Sequence, residues 1–178
     1  MRLIDKPRDH CGVFGVFAHP EAISLACRGL HALQHRGQES AGIVSTDGFS
    51  VYQHRGIGLV ADVFSARIVE GLRGHTAIGH VRYSTTGSTT IENAQPLVAR
   101  SSHGSLAIAH NGNLVNAESI RARLEAEGSI FQTTSDTEVV LHLVARSGAA
   151  TLEDGLSHAL GDVRGAYTLV LLTEDRVI

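Results

Sequence analysis

Segments with strand character stand at both ends of this chain, and segments with helical character lie between predicted hairpins. GVFGVFA at 12–18 is the first predicted strand, and AYTLVLL at 166–172 is the last. Between them, GIVSTDGFSVYQ has two alternating runs around an Asp47-Gly48 turn, and HTAIGHV and SLAIAH add further strands. Strands and helices do not alternate strictly, as a parallel sheet requires. The pattern therefore favours an α+β fold.

Apolar residues recur at helical spacing in the intervening segments. The first predicted helix follows Pro20 and has Cys27 on its apolar face, so a structural role is expected for that thiol. Other helices are predicted over 63–72, after Asn116 as far as Gly128, from about Asp136, and from Thr151. SLAIAH is expected to end at His110-Asn111-Gly112. The Ser-, Thr- and Gly-rich segment 83–95 is predicted to be a long, functional loop.

Composition excludes several classes of protein. The 178 residues suit one domain, and a formal net charge of −3 argues against nucleic acid as the main partner. No apolar stretch is long enough to span a membrane, and the leader MRLIDKPRDH lacks the apolar centre of a secretory signal. Two cysteines form neither a disulfide framework nor a zinc or iron–sulfur motif, so a reducing cytoplasm is expected.

Cys11 stands where the charged leader stops and the first apolar run begins. One interpretation is a small buried hydrophobe at the start of a strand. The other is a nucleophile that becomes useful only after the ten residues before it are removed. The sequence around Cys11 leaves both open.

Common catalytic motifs are missing from the sequence. It has no phosphate-binding G-x-x-x-x-G-K-[ST] loop, no complete dinucleotide fingerprint and no G-x-S-x-G elbow. His31 and His35 are four residues apart, as zinc ligands can be, but Ala32 stands where a metalloprotease has glutamate and no third ligand is indicated. A metal site is therefore not expected.

Polar residues instead follow predicted strands or begin a predicted helix. Arg82 closes IGHVR, Asn111-Gly112 follow LAIAH, and Asp136 begins a helix. Taken singly, each has a structural explanation as a surface charge, a tight turn or an N-cap. Taken with Cys11, they supply a carboxylate-binding guanidinium, an ammonium-binding carboxylate, oxyanion donors and a thiol nucleophile. The ligand that fits has an α-amino acid head and a distant amide.

Five blocks of sequence extend this interpretation. CGVFGVF, LQHRGQESAGI, GHVRYSTTG, AHNGNLVN and TTSDTEVV resemble, in order and spacing, class II (N-terminal nucleophile) glutamine amidotransferases, and among them the glutaminase domains of amidophosphoribosyltransferases. The resemblance implies a four-layer αββα sandwich with the nucleophile at the start of a strand. It also implies hydrolysis of glutamine to glutamate and ammonia, as a supply for purine biosynthesis.

The resemblance also assigns roles to individual residues. Cys11 matches the nucleophile, and Asn111 and Gly112 match the oxyanion hole. Arg82 and Asp136 match the groups that hold the glutamine carboxylate and amino group. Thr85 matches a secondary substrate contact, and Arg36-Gly37 match the QHRG turn beside the nucleophile, where the arginine has a structural or a chemical role.

The expected organisation follows from the same resemblance. Residues 1–10 are interpreted as a propeptide and 11–178 as a glutaminase domain that lacks its final strands, so the last strand is expected to be unpaired. The phosphoribosyltransferase domain, which uses Mg²⁺ with phosphoribosyl pyrophosphate, is absent. Some relatives carry an iron–sulfur cluster, but its ligands are absent, so no cofactor is expected in this chain. The full-length enzyme is expected to be a homo-oligomer.

Three alternatives stay open. The glutaminase of glucosamine-6-phosphate synthase is the nearest competitor, although it tends to have tyrosine for the His in QHRG and tryptophan where this chain has Tyr83. A catalytically silent domain could bind glutamine without hydrolysing it. A structural fragment could serve as an interface for a separate synthase chain.

Overall fold

The computed structural model describes residues 11–83 and 90–178, whose strands form two antiparallel sheets. The first sheet contains β1 (Gly12–Val16), β2 (Ser40–Thr46), β3 (Val51–Ile57) and β4 (Thr76–Arg82) in the order β1-β4-β2-β3. The second sheet contains β5 (Leu97–Ser101), β6 (Gly104–Leu114) and β7 (Gly165–Leu172) in the order β5-β6-β7. The helices are α1 (Ala22–Ala32), α2 (Val60–Val63), α3 (Ala66–Gly71), α4 (Ala117–Ala126), α5 (Glu138–Arg146) and α6 (Leu152–Asp162).

The two sheets pack face to face, and helices cover both outer faces. Alternate residues of a strand face opposite sides, so within β4 Ala77 and Val81 pack with α1 while Ile78 packs against the second sheet. In β6, Ile108 packs with the helices α4 to α6, and Ala107 lies between the sheets. The order of layers is helix, sheet, sheet, helix, which confirms the predicted α+β sandwich.

Burial explains the near-continuous apolar and small residues of the central strands. All seven residues of β2 and all seven of β4 are buried, because helices cover one face and the second sheet covers the other. The edge strands β1 and β3 are only partly buried. The alternation of apolar and polar residues expected for β2 therefore does not separate a solvent-exposed face from a buried one. Its polar residues Ser40, Ser45 and Thr46 are buried too.

Most predicted elements are present, with local differences. The hairpin between β2 and β3 turns at Gly48, whose φ of +95° suits glycine. The helix expected over 63–72 is instead two short helices, α2 and α3. They are separated because Ser65 has an extended backbone at the start of α3 and the neighbouring Phe64 is buried in the core. Thr151 caps α6, as predicted, by accepting a hydrogen bond from the Asp154 N–H.

The second sheet corrects two expectations. β6 does not end at His110-Asn111-Gly112 but continues to Leu114, because it stays paired with β7 as far as Leu114 opposite Gly165. The terminal strand is not unpaired either. Residues 173–178 turn back, so that Ile178 and Leu171 exchange two backbone hydrogen bonds, of 2.8 and 2.9 Å. Strand β5 was not predicted.

Candidate active site

Cys11 lies beside the end of the central strand β4. The register pairs Gly12 with Val81, which brings Cys11 alongside Arg82 and Tyr83. The Cys11 sulfur lies 3.3 Å from the Tyr83 nitrogen and 3.3 Å from the Tyr83 carbonyl oxygen. The Tyr83 N–H donates to the sulfur and the thiol donates to the carbonyl. Both bonds hold the thiol at the end of the sheet.

The surroundings keep this thiol protonated near neutral pH. Burial raises the pKa of Cys11, and this effect outweighs the Tyr83 backbone contacts and the Arg82 charge, which lower it. The Asp136 charge raises the pKa of Cys11 slightly further. A nucleophilic role for Cys11 therefore needs a base close to the sulfur.

Arg82 is a buried cation at the end of β4. Its side chain is 5 % exposed, and its Nη1 lies 3.6 Å from a carboxylate oxygen of Glu39. The backbone also joins these residues, because the Glu39 N–H donates to the Arg82 carbonyl at 3.1 Å. Glu39, which the sequence analysis did not identify, therefore orients the guanidinium.

The QHRG turn approaches the nucleophile from the end of α1. Arg36 Nε donates to the Cys11 carbonyl at 3.3 Å, so this arginine holds the backbone of the cysteine. A Cβ atom on Gly37 would come within 2.8 Å of Arg82 backbone atoms. Glycine therefore lets the turn lie directly against β4.

Asn111 and Gly112 belong to β6 in the second sheet. With Arg36 they line an open cavity of about 410 Å³, so Arg36 connects the oxyanion candidates with Cys11. Gly112 has φ +139°, and a Cβ atom there would lie 2.2 Å from the carbonyl oxygen of Ala166 in β7. Both the backbone conformation and the close approach require glycine at this position.

Asp136 precedes α5 and is mostly buried. One carboxylate oxygen accepts the Leu114 N–H at 3.0 Å, and the other lies 3.5 Å from His110 Nδ1. Burial acts to raise the pKa of Asp136, but the interactions with His110 and Leu114 outweigh it and leave the pKa below its usual value. The group is a carboxylate near neutral pH and can bind a cation.

A buried polar cluster connects these residues across the two sheets. His80, Gln95, His110 and Thr137 are each at most 5 % exposed. None of them was predicted to be functional, although His110 precedes Asn111 and Thr137 follows Asp136. Adjacency to predicted site residues was the only signal in the sequence.

The structure brings together five of the six predicted site residues at this end of the sandwich. Thr85 lies outside the described residues, as does the predicted propeptide 1–10. Cys27 lies on α1 and packs against the core of the first sheet, as predicted. A larger cavity of about 560 Å³ lies between β5 and α5, and none of the predicted site residues lines it.

The described residues contain no group of three or more histidine, cysteine, aspartate or glutamate side chains placed to hold a metal ion. Within residues 11–83 and 90–178, no helix has the length and apolar character needed to cross a membrane.

Known proteins with similar sequences identify the family of this chain. A family model described as a glutamine amidotransferase domain matches residues 65–176. The amidophosphoribosyltransferase of Bacillus subtilis (strain 168) is 52% identical over 171 residues, which cover 96% of this chain and 36% of the relative. A chloroplastic amidophosphoribosyltransferase of Vigna aconitifolia is 53% identical over 174 residues, covering 98% of this chain and 36% of the relative.

Solved structures match the fold as well. An allosteric regulatory enzyme of purine biosynthesis has a TM-score of 0.87 at 53% identity, covering 91% of this chain and 35% of that one. The glutamine phosphoribosylpyrophosphate amidotransferase of B. subtilis, in complex with ADP and GMP, has a TM-score of 0.85 at 52% identity, with 91% and 35% coverage. The chain spans about a third of the length of these proteins. It belongs to the glutamine amidotransferase domain family, within which it is similar to the amidophosphoribosyltransferases.

Proposed function

We propose that this chain hydrolyses the side-chain amide of glutamine to glutamate and ammonia through a thioester on Cys11. The observation that carries the proposal is the position of the Cys11 thiol. It lies against the end of β4 beside Arg82, and Arg36 connects it to Asn111 and Gly112. Asp136 is hydrogen-bonded to the strand that carries Asn111 and Gly112. These groups match the two ends of glutamine.

Substrate binding uses the two buried charges. The Arg82 guanidinium binds the α-carboxylate of glutamine, and the Asp136 carboxylate binds the α-ammonium. Asp136 is suited to this because its lowered pKa keeps it ionised. Thr85 adds a second contact to the substrate in this proposal. With the amino acid head held in this way, the side-chain amide reaches the Cys11 sulfur.

The reaction proceeds in two steps. The sulfur attacks the amide carbon, the carbonyl oxygen takes up negative charge, and the Asn111 side-chain amide and the Gly112 N–H stabilise it. The amide nitrogen then receives the proton that the base took from the thiol, the carbon–nitrogen bond breaks as the intermediate collapses, and ammonia leaves. Water then attacks the thioester, releases glutamate and returns the proton to the sulfur.

The base that activates the thiol is the α-amine of Cys11 itself. A free α-amine has a pKa of about 7.7–8.0, close to the pH at which the thiol must ionise. In the sequence His10 precedes Cys11, so that nitrogen is a peptide amide with no basic lone pair. We therefore propose that residues 1–10 are a propeptide and that 11–178 form the glutaminase domain.

The acceptor of the ammonia belongs to the remaining two thirds of the relatives' length. We propose that this chain supplies ammonia to a phosphoribosyltransferase domain in the first committed step of purine biosynthesis, as the name of its relatives implies. The full enzyme is proposed to be a homo-oligomer. Both cysteines are free thiols, which suits the cytoplasm, although the plant relatives are described as chloroplastic.

Removal of the leader tests the mechanism. Two forms are prepared, one with Met1–His10 attached and one that begins at Cys11, and intact mass confirms each N-terminus. The form that begins at Cys11 is expected to release glutamate from glutamine, and the longer form is expected to be essentially inactive because its Cys11 nitrogen cannot accept a proton. Equal rates for the two forms would refute the N-terminal nucleophile.

Cysteine variants provide the matched control. In the form that begins at residue 11, Cys11→Ala is expected to abolish hydrolysis. Cys27→Ala is expected to retain the kinetics and lose only stability, because Cys27 packs on α1. A folded Cys27→Ala protein with no turnover would contradict the assignment, and glutamine binding without hydrolysis in the wild type would favour the silent domain.

A further inference from the structure

Strand β6 loses its partner on one side just before the proposed oxyanion residues. The last pair between β5 and β6 joins Leu97 with Ile108, so among residues 11–83 and 90–178 no strand lies beside the β6 backbone on that side beyond Ile108. Side chains replace the missing strand. Gln95 Oε1 accepts the His110 N–H at 2.8 Å, and His80 Nε2 lies 2.9 Å from the His110 carbonyl oxygen. Asn111 follows that carbonyl directly.

The His80 bond fixes the tautomer of that side chain. A carbonyl oxygen only accepts, so His80 Nε2 must carry the proton and donate it. Burial lowers the pKa of His80 to about 3, so the ring is neutral at physiological pH and its Nδ1 is unprotonated. That Nδ1 atom is buried and has no hydrogen-bond partner in the described structure. Among the described residues, the bond from Nε2–H to the His110 carbonyl of β6 is therefore the one hydrogen bond that the His80 ring makes.

His110 uses its other ring nitrogen. Nδ1 lies 3.0 Å from the Thr137 hydroxyl oxygen and 3.5 Å from a carboxylate oxygen of Asp136. A proton on Nδ1 makes both contacts favourable, whereas a bare lone pair there would repel the carboxylate. Gln95 Nε2 also donates to the Thr137 hydroxyl at 3.0 Å, so this hydroxyl can direct its own proton toward Asp136, 3.5 Å away.

We propose that His80 and His110 are positioning residues with separate tasks: His80 orients the His110-Asn111 peptide for oxyanion stabilisation, and His110 orients Asp136 for binding of the substrate ammonium. The inference rests on the proposed glutamine hydrolysis and adds two residues that touch no substrate. Loss of the Nε2 bond of His80 is expected to lower kcat, because Asn111 acts in the transition state. Loss of the Nδ1 bonds of His110 is expected to raise KM, because Asp136 acts in substrate binding.

The two ring nitrogens give a sharp test, because amide side chains imitate them selectively. The Gln amide nitrogen reaches about the position of a histidine Nε2, and the Asn amide nitrogen reaches about that of Nδ1. Both substitutions are made at His80 and at His110 in the form that begins at Cys11. The same pair at His31, which is exposed on α1, serves as the control. Steady-state hydrolysis of glutamine and thermal unfolding are measured for all six variants.

The expected pattern is a crossover. His80→Gln keeps kcat near the wild-type value, and His80→Asn lowers kcat by about tenfold with little change in KM. His110→Asn keeps KM, and His110→Gln raises KM by about tenfold with a smaller change in kcat. The His31 variants keep both constants. Equal effects of Gln and Asn at either position, in folded proteins, would overturn the proposal for that histidine.

A second measurement covers variants that fail to fold. Thr137→Ser keeps the hydroxyl that contacts His110 and Asp136, whereas Thr137→Val removes it at nearly constant volume. Thr137→Val alone is expected to raise the KM for glutamine. An unchanged KM for Thr137→Val would contradict the proposal that His110 orients Asp136.

Nitrogen-15 spectra of the wild-type imidazoles keep this inference distinct from the proposed function. They are expected to show His80 protonated at Nε2 and His110 at Nδ1, and the opposite tautomer at either ring would overturn the assignment. Absence of glutamine hydrolysis by the wild type would refute the proposed function and leave the tautomers as measured.

Discussion

Arg82 and Asn111 act at different stages of the proposed reaction. In that proposal the Arg82 guanidinium, which is buried beside Glu39, binds the α-carboxylate of bound glutamine and of the transition state alike. The Asn111 side chain is proposed to bind the negative charge that develops on the carbonyl oxygen during the reaction. Their variants should therefore change different kinetic constants.

Arg82→Lys is expected to raise the KM for glutamine with a smaller effect on kcat, because an ammonium cannot reproduce a two-pronged contact with a carboxylate. Asn111→Ala is expected to lower kcat by about a hundredfold or more, the usual loss for one oxyanion donor. Steady-state kinetics on the form that begins at Cys11 separates the constants. Arg28→Lys, at an exposed position on α1, is the matched control. A change in KM alone for Asn111→Ala would contradict its role.

A sequence predicts candidate reacting groups more readily than the residues that support them. Cys11, Arg82, Asn111 and Asp136 could be proposed because their residue types suit the chemistry. In our proposal Glu39, His80 and Thr137 act through other residues, and many side chain types could do the same. Only their distances to the named groups, such as 3.6 Å from Arg82 to Glu39, identify them.

Among the elements, β6 carries Asn111 and Gly112, which pair with β7 and lie beyond the last residue that pairs with β5. It pairs with β5 as far as Ile108 and with β7 as far as Leu114. The sequence pattern ended this strand too early, because Asn-Gly is a common turn signal. Pairing with the distant β7 overrides that signal, and Gly112 meets β7 with a positive φ.

Gly112→Ala is expected to destabilise the fold by ~1–3 kcal/mol and to lower kcat, because the new methyl group would overlap the β7 backbone and move Asn111. Gly128→Ala is the matched control, since it also has a positive φ, of +91°, but nothing lies within 4 Å of its Cβ position. Chemical denaturation gives the loss of stability for each variant. Equal losses for the two, with normal kcat, would show that close approach to β7 is unimportant.

For the molecule as a whole, the interface between the sheets contains polar as well as apolar contacts. Val44 and Ile78 of the first sheet pack against Ala107, Ala109 and Leu172 of the second. The fully buried His80 crosses the same interface by its bond to β6. A neutral buried histidine makes stability depend on pH, because its imidazole binds a proton in the unfolded chain and stays unprotonated in the folded chain.

The direction of this dependence follows from the two pKa values. Folding lowers the pKa of His80 from 6.5 to about 3, mainly through burial. Between these values only the unfolded state is protonated, so the contribution of His80 to the free energy of unfolding falls as pH drops below 6.5. The slope reaches ~1.4 kcal/mol per pH unit for one proton.

Wild type and His80→Gln are compared by denaturation at several pH values from 7 to 5. Gln keeps a donor for β6 but does not titrate, and the carboxylates common to both proteins cancel in the difference. The stability of the wild type relative to His80→Gln is therefore expected to fall toward pH 5. A difference that stays constant over this range would show that folding does not lower the pKa of His80.

The α+β class, the positions of most helices and strands, and the residue types that could act on an amide were all predictable from the amino-acid sequence. These depend on local spacing and on chemistry, and both can be recognised in a short segment. The tertiary structure alone decided the true end of β6, the return of residues 173–178 along β7, and the supports that hold Arg82 and Asp136. The physical reason is that each of these depends on partners far apart in the chain. His80 and His110, for example, are thirty residues apart and meet only because two separate sheets pack face to face.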